Sequence, residues 1–549
     1  MISRKLTSFK LAFSNNESEI IRNGASGKAV QIPHTWNVEN GTEEYFGTAW
    51  YSTAFEFEKL SFKTVLLFHA VYRDCTVYVN GNEVAKHFNS GFTPFEADIT
   101  NHIKIGTNLL VIKCSNAYSD DALPHGKDFD WANDGGMIRP VELIEYSEND
   151  IEHIKIESTV TDFFEDGKGK AKIVCDFDFC CQKHLPFSVR VKEKKSGTPV
   201  FEKENICGSQ TEFCLNDVTL WDTENPFLYV LEVFCGNEMR TQAFGVRKIE
   251  VREDKIYLNN RPIALRGVEW MPGSNPEFGM TEPESELRKN LEMFKDINCN
   301  FTRFHWQQDD FVYDWCDEHG LMVQEEIPYW GSPKNAGGKQ VVVAKNQADE
   351  MLLYHFNHPS IVCWGVGNEL GGRKRGTIFY VKQLVAYFKS KDSMRLVNYV
   401  SNTMGWKSFW QRLGGCKDAT VYGDICMWNE YLGTWYGDVN YDKVFRLVQN
   451  ESEGKPIVST EFGLCEPHFK GGDERRIEIY KEKLDYYKKY GFAGWVYFSL
   501  NDYRTHIGES GKGKLKQRIH GSVDLYGNKK PSYEFIKTAN STDGSVKLK

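Results

Sequence analysis

Two short apolar runs in this chain end in a glutamate. IVCWGVGNEL, Ile361 to Leu370, is rich in β-branched residues and reads as a strand buried on both faces that exits through Asn368 and Glu369. PIVSTEFG, Pro456 to Gly463, repeats that design and exits through Glu461. One strand-end glutamate alone reads as a helix cap or a loop anchor. Two of them read as an acid and a nucleophile. Hydrolysis of a glycosidic bond with retention needs two carboxyl groups about 5 Å apart, one attacking the anomeric carbon and one protonating the leaving oxygen. Inversion needs a wider gap of roughly 6.5–9.5 Å, and the sequence is compatible with both.

Other strand-like runs end in polar groups. Arg303 and His305 follow one, Glu325 and Glu326 end the next, Asn429 and Tyr431 follow a later one, and Trp495 lies in the last. Arg303 is expected to hold the nucleophile ionised through a charge-assisted hydrogen bond, and Tyr431 to orient it. A rival reading gathers His305, Glu325, Glu326 and Asp424 as metal ligands, but no HExxH or paired-cysteine spacing accompanies them. A third reading is a carbohydrate-binding protein without catalysis; two mutually repelling carboxylates speak against it.

These residues need elements to position them. After Glu250, eight strand-like runs alternate with helical ones: ALRGVEW, FTRFHW, LMVQEEI, IVCWGVGNE, LVNYVS, DICMWN, PIVSTEFG and GFAGWVYFSL. That pattern predicts a (β/α)8 TIM barrel over 251–549, with its reacting groups at the C-terminal strand ends. In one intervening helix Leu287, Leu291, Phe294 and Ile297 share a face, with Thr281 and Glu284 as a capping box; in another Ile477, Tyr480, Leu484 and Tyr487 repeat the stripe. Residues 1–148 read as short alternating strands of a jelly-roll β-sandwich, with Asn80-Gly81 as a hairpin turn. Residues 149–250 read as an immunoglobulin-like β-sandwich. The cluster Asp128, Asp130, Trp131 and Asp134 reads as a loop that turns and packs.

At 549 residues the chain can bury several cores, and its 14% aromatic content, with 14 Trp and 26 Tyr, suits stacking on sugars as well as core packing. A net charge of −9 and the lack of long basic runs speak against nucleic acid as a partner. The opening MISRKLTSFKLAFSNN is too broken in its apolar pattern for a signal peptide, and no stretch approaches a membrane span, so a cytoplasmic protein without membrane contact is expected. Its 14 cysteines, including Cys114, Cys175, Cys363 and Cys426 in strand-like runs, are expected to be buried free thiols.

In order along the chain, IPHTWN, GTAWY, VNGNEVAKHFNSGFTPFEADIT, GGMIRPVEL, LWDTENPFLYVLEV, FGVRKIEV, LNNRPIALRGV, CDEHGLMVQEEI, GVGNE and STEFG resemble segments of glycoside hydrolase family 2, the β-galactosidase, β-glucuronidase and β-mannosidase family. The resemblance covers nearly the whole chain. It implies a retaining enzyme with Glu369 as general acid/base and Glu461 as nucleophile. Asn368 would bond the sugar 2-hydroxyl, and Arg303, His305 and Tyr431 would line the glycone pocket. Trp495 would match the family's strand-eight tryptophan, with Asn429 and Glu326 as further substrate contacts. No organic cofactor is implied, and EEIPYWG after strand three departs from the magnesium-binding pattern of large galactosidases, so no catalytic metal is expected.

The subgroup motifs are mixed. GNE resembles the galactosidases, TEFG and NEYLGTWYG the glucuronidases, and VEWMPGS the mannosidases and glucosaminidases. Where glucuronidases carry Asn-x-Lys, this chain has Arg518-Ile519-His520. The first expectation is an exo-acting β-galactosidase on oligosaccharides or glycoconjugates, with the segments Gly331 to Lys345 and Ser401 to Thr420 closing the mouth and a homo-oligomer possible. The alternative is a β-glucuronidase or β-galacturonidase that uses the basic segment Arg504, His506, Lys512, Lys514, Lys516, Arg518 and His520. There Arg504 or Arg518 would pair with a uronate.

Overall fold

The computed structural model describes residues 1–127, 129–331, 333–404, 417–506 and 516–541. Asp128, Lys512, Lys514 and most of the segment from 401 to 420 lie outside the described residues.

Alternation in the first block produces two packed sheets. A four-stranded sheet (Ile2–Lys5, Val141–Tyr146, Lys63–Phe68, Phe95–Asp98) faces a six-stranded one running from Lys28–Gln31 to Asn82–His87. Along Gly106–Ser115, Leu110, Ile112 and Cys114 point into the shared core, while Val111 turns to a separate cluster with Trp50 and Tyr78. The predicted hairpin forms with Val79 opposite Asn82, and Asn80 and Gly81 take φ of 51° and 85°. The second block packs three antiparallel strands (Ile151–Phe163, Lys168–Phe179, Gln210–Thr219) on four (Pro199–Ile206, Phe187–Glu193, Tyr229–Cys235, Glu238–Phe244) around Ile173, Val189, Val191 and Leu231.

All eight expected barrel strands are present: Leu265–Glu269, Phe301–Phe304, Met322–Glu326, Ile361–Asn368, Leu396–Ser401, Cys426–Asn429, Ile457–Glu461 and Gly494–Phe498. They form one parallel eight-stranded sheet in sequential order. Between the first and second strands, Asn300 N donates to Arg266 O at 3.0 Å and Asn300 Oδ1 accepts from Arg266 N at 2.8 Å, which brings the ends of the sheet together. Gly267 makes that approach possible, since a Cβ there would lie 1.8 Å from Phe301 O. Phe301, Met322, Val400, Met427, Val458 and Val496 fill the lower interior.

Helix Glu284–Asp296 buries Leu287, Leu291 and Phe294 as expected, but its capping box does not form. Pro283 stands at the cap, and the Thr281 hydroxyl donates to Phe278 O at 2.6 Å inside a preceding 3-10 turn. Helix Gly472–Lys489 buries Tyr480, Leu484 and Tyr487 together with two charged groups, Arg476 and Lys483. The sandwiches are fastened to the barrel by polar contacts. Arg247 donates to Pro359 O at 3.0 Å and Ile361 O at 2.7 Å, and Thr93 Oγ1 donates to Glu350 at 2.5 Å. The cysteines among the described residues are free thiols, with Cys114, Cys175, Cys363 and Cys426 buried. No described helix is long and apolar enough to cross a membrane.

Candidate active site

Strand pairing delivers Glu269, Arg303, His305, Glu326 and Glu461 to one buried cluster at the C-terminal mouth of the barrel. Arg303 is its centre, with Nη1 3.0 Å from Glu269 Oε2 and 3.1 Å from Glu461 Oε1, and Nη2 3.5 Å from Glu326 Oε1. Burial works against its charge, but the three carboxyls outweigh that and hold it as a cation. His305 Nε2 lies 2.8 Å from Glu269 Oε1. Burial alone would strip its proton, yet Glu269 and Glu326 raise its pKa to about 10. Burial also raises Glu326, and Arg303 and His305 pull it back below the usual carboxylate value.

Glu461 accepts from the Tyr431 hydroxyl at 2.8 Å and from Asn368 Nδ2 at 3.4 Å. Glu369 accepts from Asn429 Nδ2 at 2.8 Å and from the Tyr436 hydroxyl at 3.5 Å. Asn429 Nδ2 also reaches Asn368 Oδ1 at 3.1 Å, so a short amide chain joins the two carboxyls. Glu369 sits just past its strand at φ +58°, a left-handed conformation costly for a residue with a Cβ, and its N–H donates to Val400 O at 2.9 Å. Burial, then the charges of Glu269 and Glu369, raise the Glu461 carboxyl, against the pull of Arg303 and His305. Burial likewise raises Glu369. The two therefore titrate as a pair. The guanidinium and the phenol O–H touching Glu461 put the negative charge there and leave the proton on Glu369.

Both carboxyls open onto a cavity of about 230 Å³. Of the candidate residues singled out in the sequence, His305, Glu369, Tyr431, Glu461, Arg518 and His520 line it. Asn368, Asn429, Arg303 and Glu326 instead form the buried layer behind, where Asn368, Asn429 and Arg303 bond to the carboxyls and Glu326 pairs with Arg303. Two expected substrate contacts are corrected outright. Trp495 faces away from the barrel axis, because side chains alternate along Gly494–Phe498. It packs in the outer helical layer beside a larger cavity of about 610 Å³ lined also by Lys255, Gln449 and Tyr490, while Phe498 takes the place at the mouth. Arg504 is captured by Asp134, at 2.7 and 3.0 Å, in a neighbouring groove.

The metal grouping disperses for the same reason of parity. Glu325 points outward to His355 Nδ1 at 2.9 Å, and Asp424 precedes its strand, bonded to Val397 N at 2.7 Å. Glu269, His305 and Glu461 do converge, but the Arg303 guanidinium touches both glutamates and fills the position a cation would take.

The sequence reading missed one wall of the cavity. Asp130 and Trp131, expected only to turn and pack, reach in from the first sandwich. Asp130 accepts from Tyr503 at 3.0 Å and Thr505 at 2.9 Å and lies 2.7 Å from Arg518 Nε; Trp131 stacks on His305 with centroids 5.8 Å apart. Glu269 and Tyr436 were also passed over. Glu269 had a legible signal, since ALRGVEW exits through a glutamate as the two chosen strands do.

Behind the mouth lies a second buried ion pair. Lys483 Nζ donates to Glu430 Oε1 and to Leu432 O, both at 2.9 Å, and Tyr487 donates to Glu430 Oε2 at 2.8 Å, pinning the turn that presents Tyr431. Lys483→Met should cost about 3–5 kcal/mol of stability by stranding a buried carboxylate, read as a lower urea midpoint. Adding Glu430→Leu should restore most of it. A loss below about 1 kcal/mol in the single variant would show that the pair does not hold this turn.

Residues 249–510 match the family model described as "Glycosyl hydrolases family 2, TIM barrel domain", and 24–147 match "Glycosyl hydrolases family 2, sugar binding domain". A beta-galactosidase of Thermoanaerobacterium thermosulfurigenes is 30% identical over 86% of this chain and 71% of that protein. A beta-glucuronidase of Streptococcus agalactiae is 27% identical over 83% of this chain and 81% of its own length. Two other curated relatives are longer, and the chain spans 43% and 63% of them. The crystal structure of Ruminococcus gnavus beta-glucuronidase superposes with a TM-score of 0.86 at 21% identity, covering 99% of this chain and 97% of that one, a likeness of fold.

Proposed function

Because the chain belongs to glycosyl hydrolases family 2, we propose that it is an exo-acting, retaining β-glycosidase that removes a terminal β-linked sugar. The observation that carries this reading is the pair of carboxyls in one cavity, with the Arg303 guanidinium 3.1 Å from Glu461. Glu461, ionised, attacks the anomeric carbon and forms a glycosyl ester, while Glu369 gives its proton to the departing oxygen. Glu369 then takes a proton from water, the water oxygen attacks the anomeric carbon, and the ester bond to Glu461 breaks. A cavity of about 230 Å³ leaves space for little more than one sugar ring, which suits an exo mode.

For the sugar itself the reading moves from the β-galactoside first expected to a β-glucuronide. Arg518 stands in the cavity wall, and one of the similar curated proteins is named a beta-glucuronidase. A neutral β-galactoside is the second reading, favoured by Asp130, which lies against Arg518 at 2.7 Å and would accept sugar hydroxyls.

Initial rates on matched aryl β-galactoside, glucoside, mannoside, glucuronide and galacturonide decide between them, with Glu461→Ala protein as the blank. The glucuronide should be fastest, and Arg518→Ala should cost it roughly 10- to 100-fold in kcat/KM, the worth of a hydrogen bond to a charged group. A galactoside preference that survives Arg518→Ala would sink the uronide reading. Silence across the panel would return the chain to carbohydrate binding without catalysis.

A further inference from the structure

The turn after the sixth barrel strand places two consecutive aromatic residues on different tasks. It is closed by its own hydrogen bonds: Tyr436 N to Tyr431 O at 3.0 Å, Gly433 N to Gly437 O at 2.9 Å, and Thr434 N to Tyr431 O at 3.1 Å. Thr434 Oγ1 ties it to the following loop through Gly463 O at 3.4 Å. Tyr436 turns its hydroxyl to the Glu369 carboxyl, while Trp435 lies in the lining of the same cavity and stays 36% exposed. An indole that lines a cavity and keeps part of its surface open offers a flat apolar face to a bound group.

The indole is also held in place. His468 stacks on it with centroids 4.3 Å apart at 28°, and Phe469 meets it edge-on at 4.9 Å. Arg518 stands 5.6 Å from the ring on the cavity wall. A preorganised aromatic surface of this kind gives contact area at little entropic cost.

The group bonded to the oxygen that Glu369 protonates must leave the cavity past Glu369. Trp435 lines the same cavity as Glu369 and Tyr436. We infer that Trp435, backed by His468 and Phe469, is the docking platform for the leaving group, and that it takes a ring with a flat apolar face, either an aromatic ring or the C–H face of a pyranose. This rests on the glycosidase reading.

The test compares wild type with Trp435→Ala and Trp435→Phe on three substrates of the glycone ranked first above: the glycosyl fluoride, the 4-methylumbelliferyl glycoside and a disaccharide. The fluoride has no ring to dock. Trp435→Ala should lower kcat/KM about tenfold on the ring-bearing substrates, mainly through KM, in line with an aromatic pair. The fluoride should change less than about twofold, and Trp435→Phe should recover most of the loss. A loss in the aryl arm alone identifies an aromatic leaving group, and one in the disaccharide arm alone identifies a sugar. Equal losses on the fluoride and the ring-bearing substrates would overturn the inference by placing Trp435 in the glycone pocket, as would no loss on any of them. Wild-type inactivity on all three would instead remove the glycosidase reading, and this platform with it.

Discussion

Glu461→Ala should lower turnover of aryl β-glycosides by about four orders of magnitude or more, the scale seen when a nucleophile acting in concert with its partners is removed. The fold should survive the change. The cluster holds three carboxyls, of Glu269, Glu326 and Glu461, against the two cations Arg303 and His305, so removing one carboxyl leaves the remaining charges matched. A urea midpoint close to that of the wild type would verify this. Azide should partly rescue the variant. It can enter the space vacated below the sugar, attack from the face that Glu461 used, and yield a glycosyl azide of inverted configuration. Retained turnover in Glu461→Ala, or an azide product with the substrate's own configuration, would eliminate Glu461 as the nucleophile.

For Glu369→Ala the loss should depend on the leaving group. Substrates whose departing phenol is already acidic need no proton and should lose little, whereas alkyl or sugar leaving groups should lose about 10²- to 10⁴-fold. The slope of log kcat/KM against leaving-group pKa should steepen, and the basic limb of the pH profile should vanish. In the wild type that limb lies above the usual carboxylate value, because burial raises Glu369 against the pull of Asn429, His305 and Arg303. The backbone offers a control. At φ +58° alanine keeps the left-handed strain, whereas glycine relieves roughly 1 kcal/mol. Glu369→Gly should therefore lose the same proton transfer in a more stable protein. Equal losses across leaving groups would argue that Glu369 is not the acid.

The barrel and its two chosen glutamates were legible because both rest on local pattern: apolar runs of strand length, each ending in a carboxyl, separated by helical stripes. What the sequence did not show depends on facing and on distance. Trp495 and Glu325 were read as mouth residues from their position near a strand end, but the two-residue period of a strand turns both outward. Arg504 looked available for a uronate until Asp134, 370 residues away in sequence, took its guanidinium. Asp130 had no local mark of a pocket residue at all, since only the docking of the first sandwich carries it to Tyr503 and Arg518. Sequence motifs therefore found the paired carboxyls more readily than the residues that enclose the cavity around them.

That division has a consequence for how selectivity can drift. The Glu369–Glu461 pair is carried wholly by the ends of barrel strands, while one wall of the same cavity is lent by a loop of another module. If the cavity holds the proposed sugar, substitutions around Asp130 and Trp131, or a small change in how that module seats on Arg518 and Tyr503, would change which sugar is admitted while leaving the charge cluster intact. On the proposed function, the chemistry is thus insulated from the choice of substrate, and a lineage could explore new sugars without first surrendering the pair that cuts them.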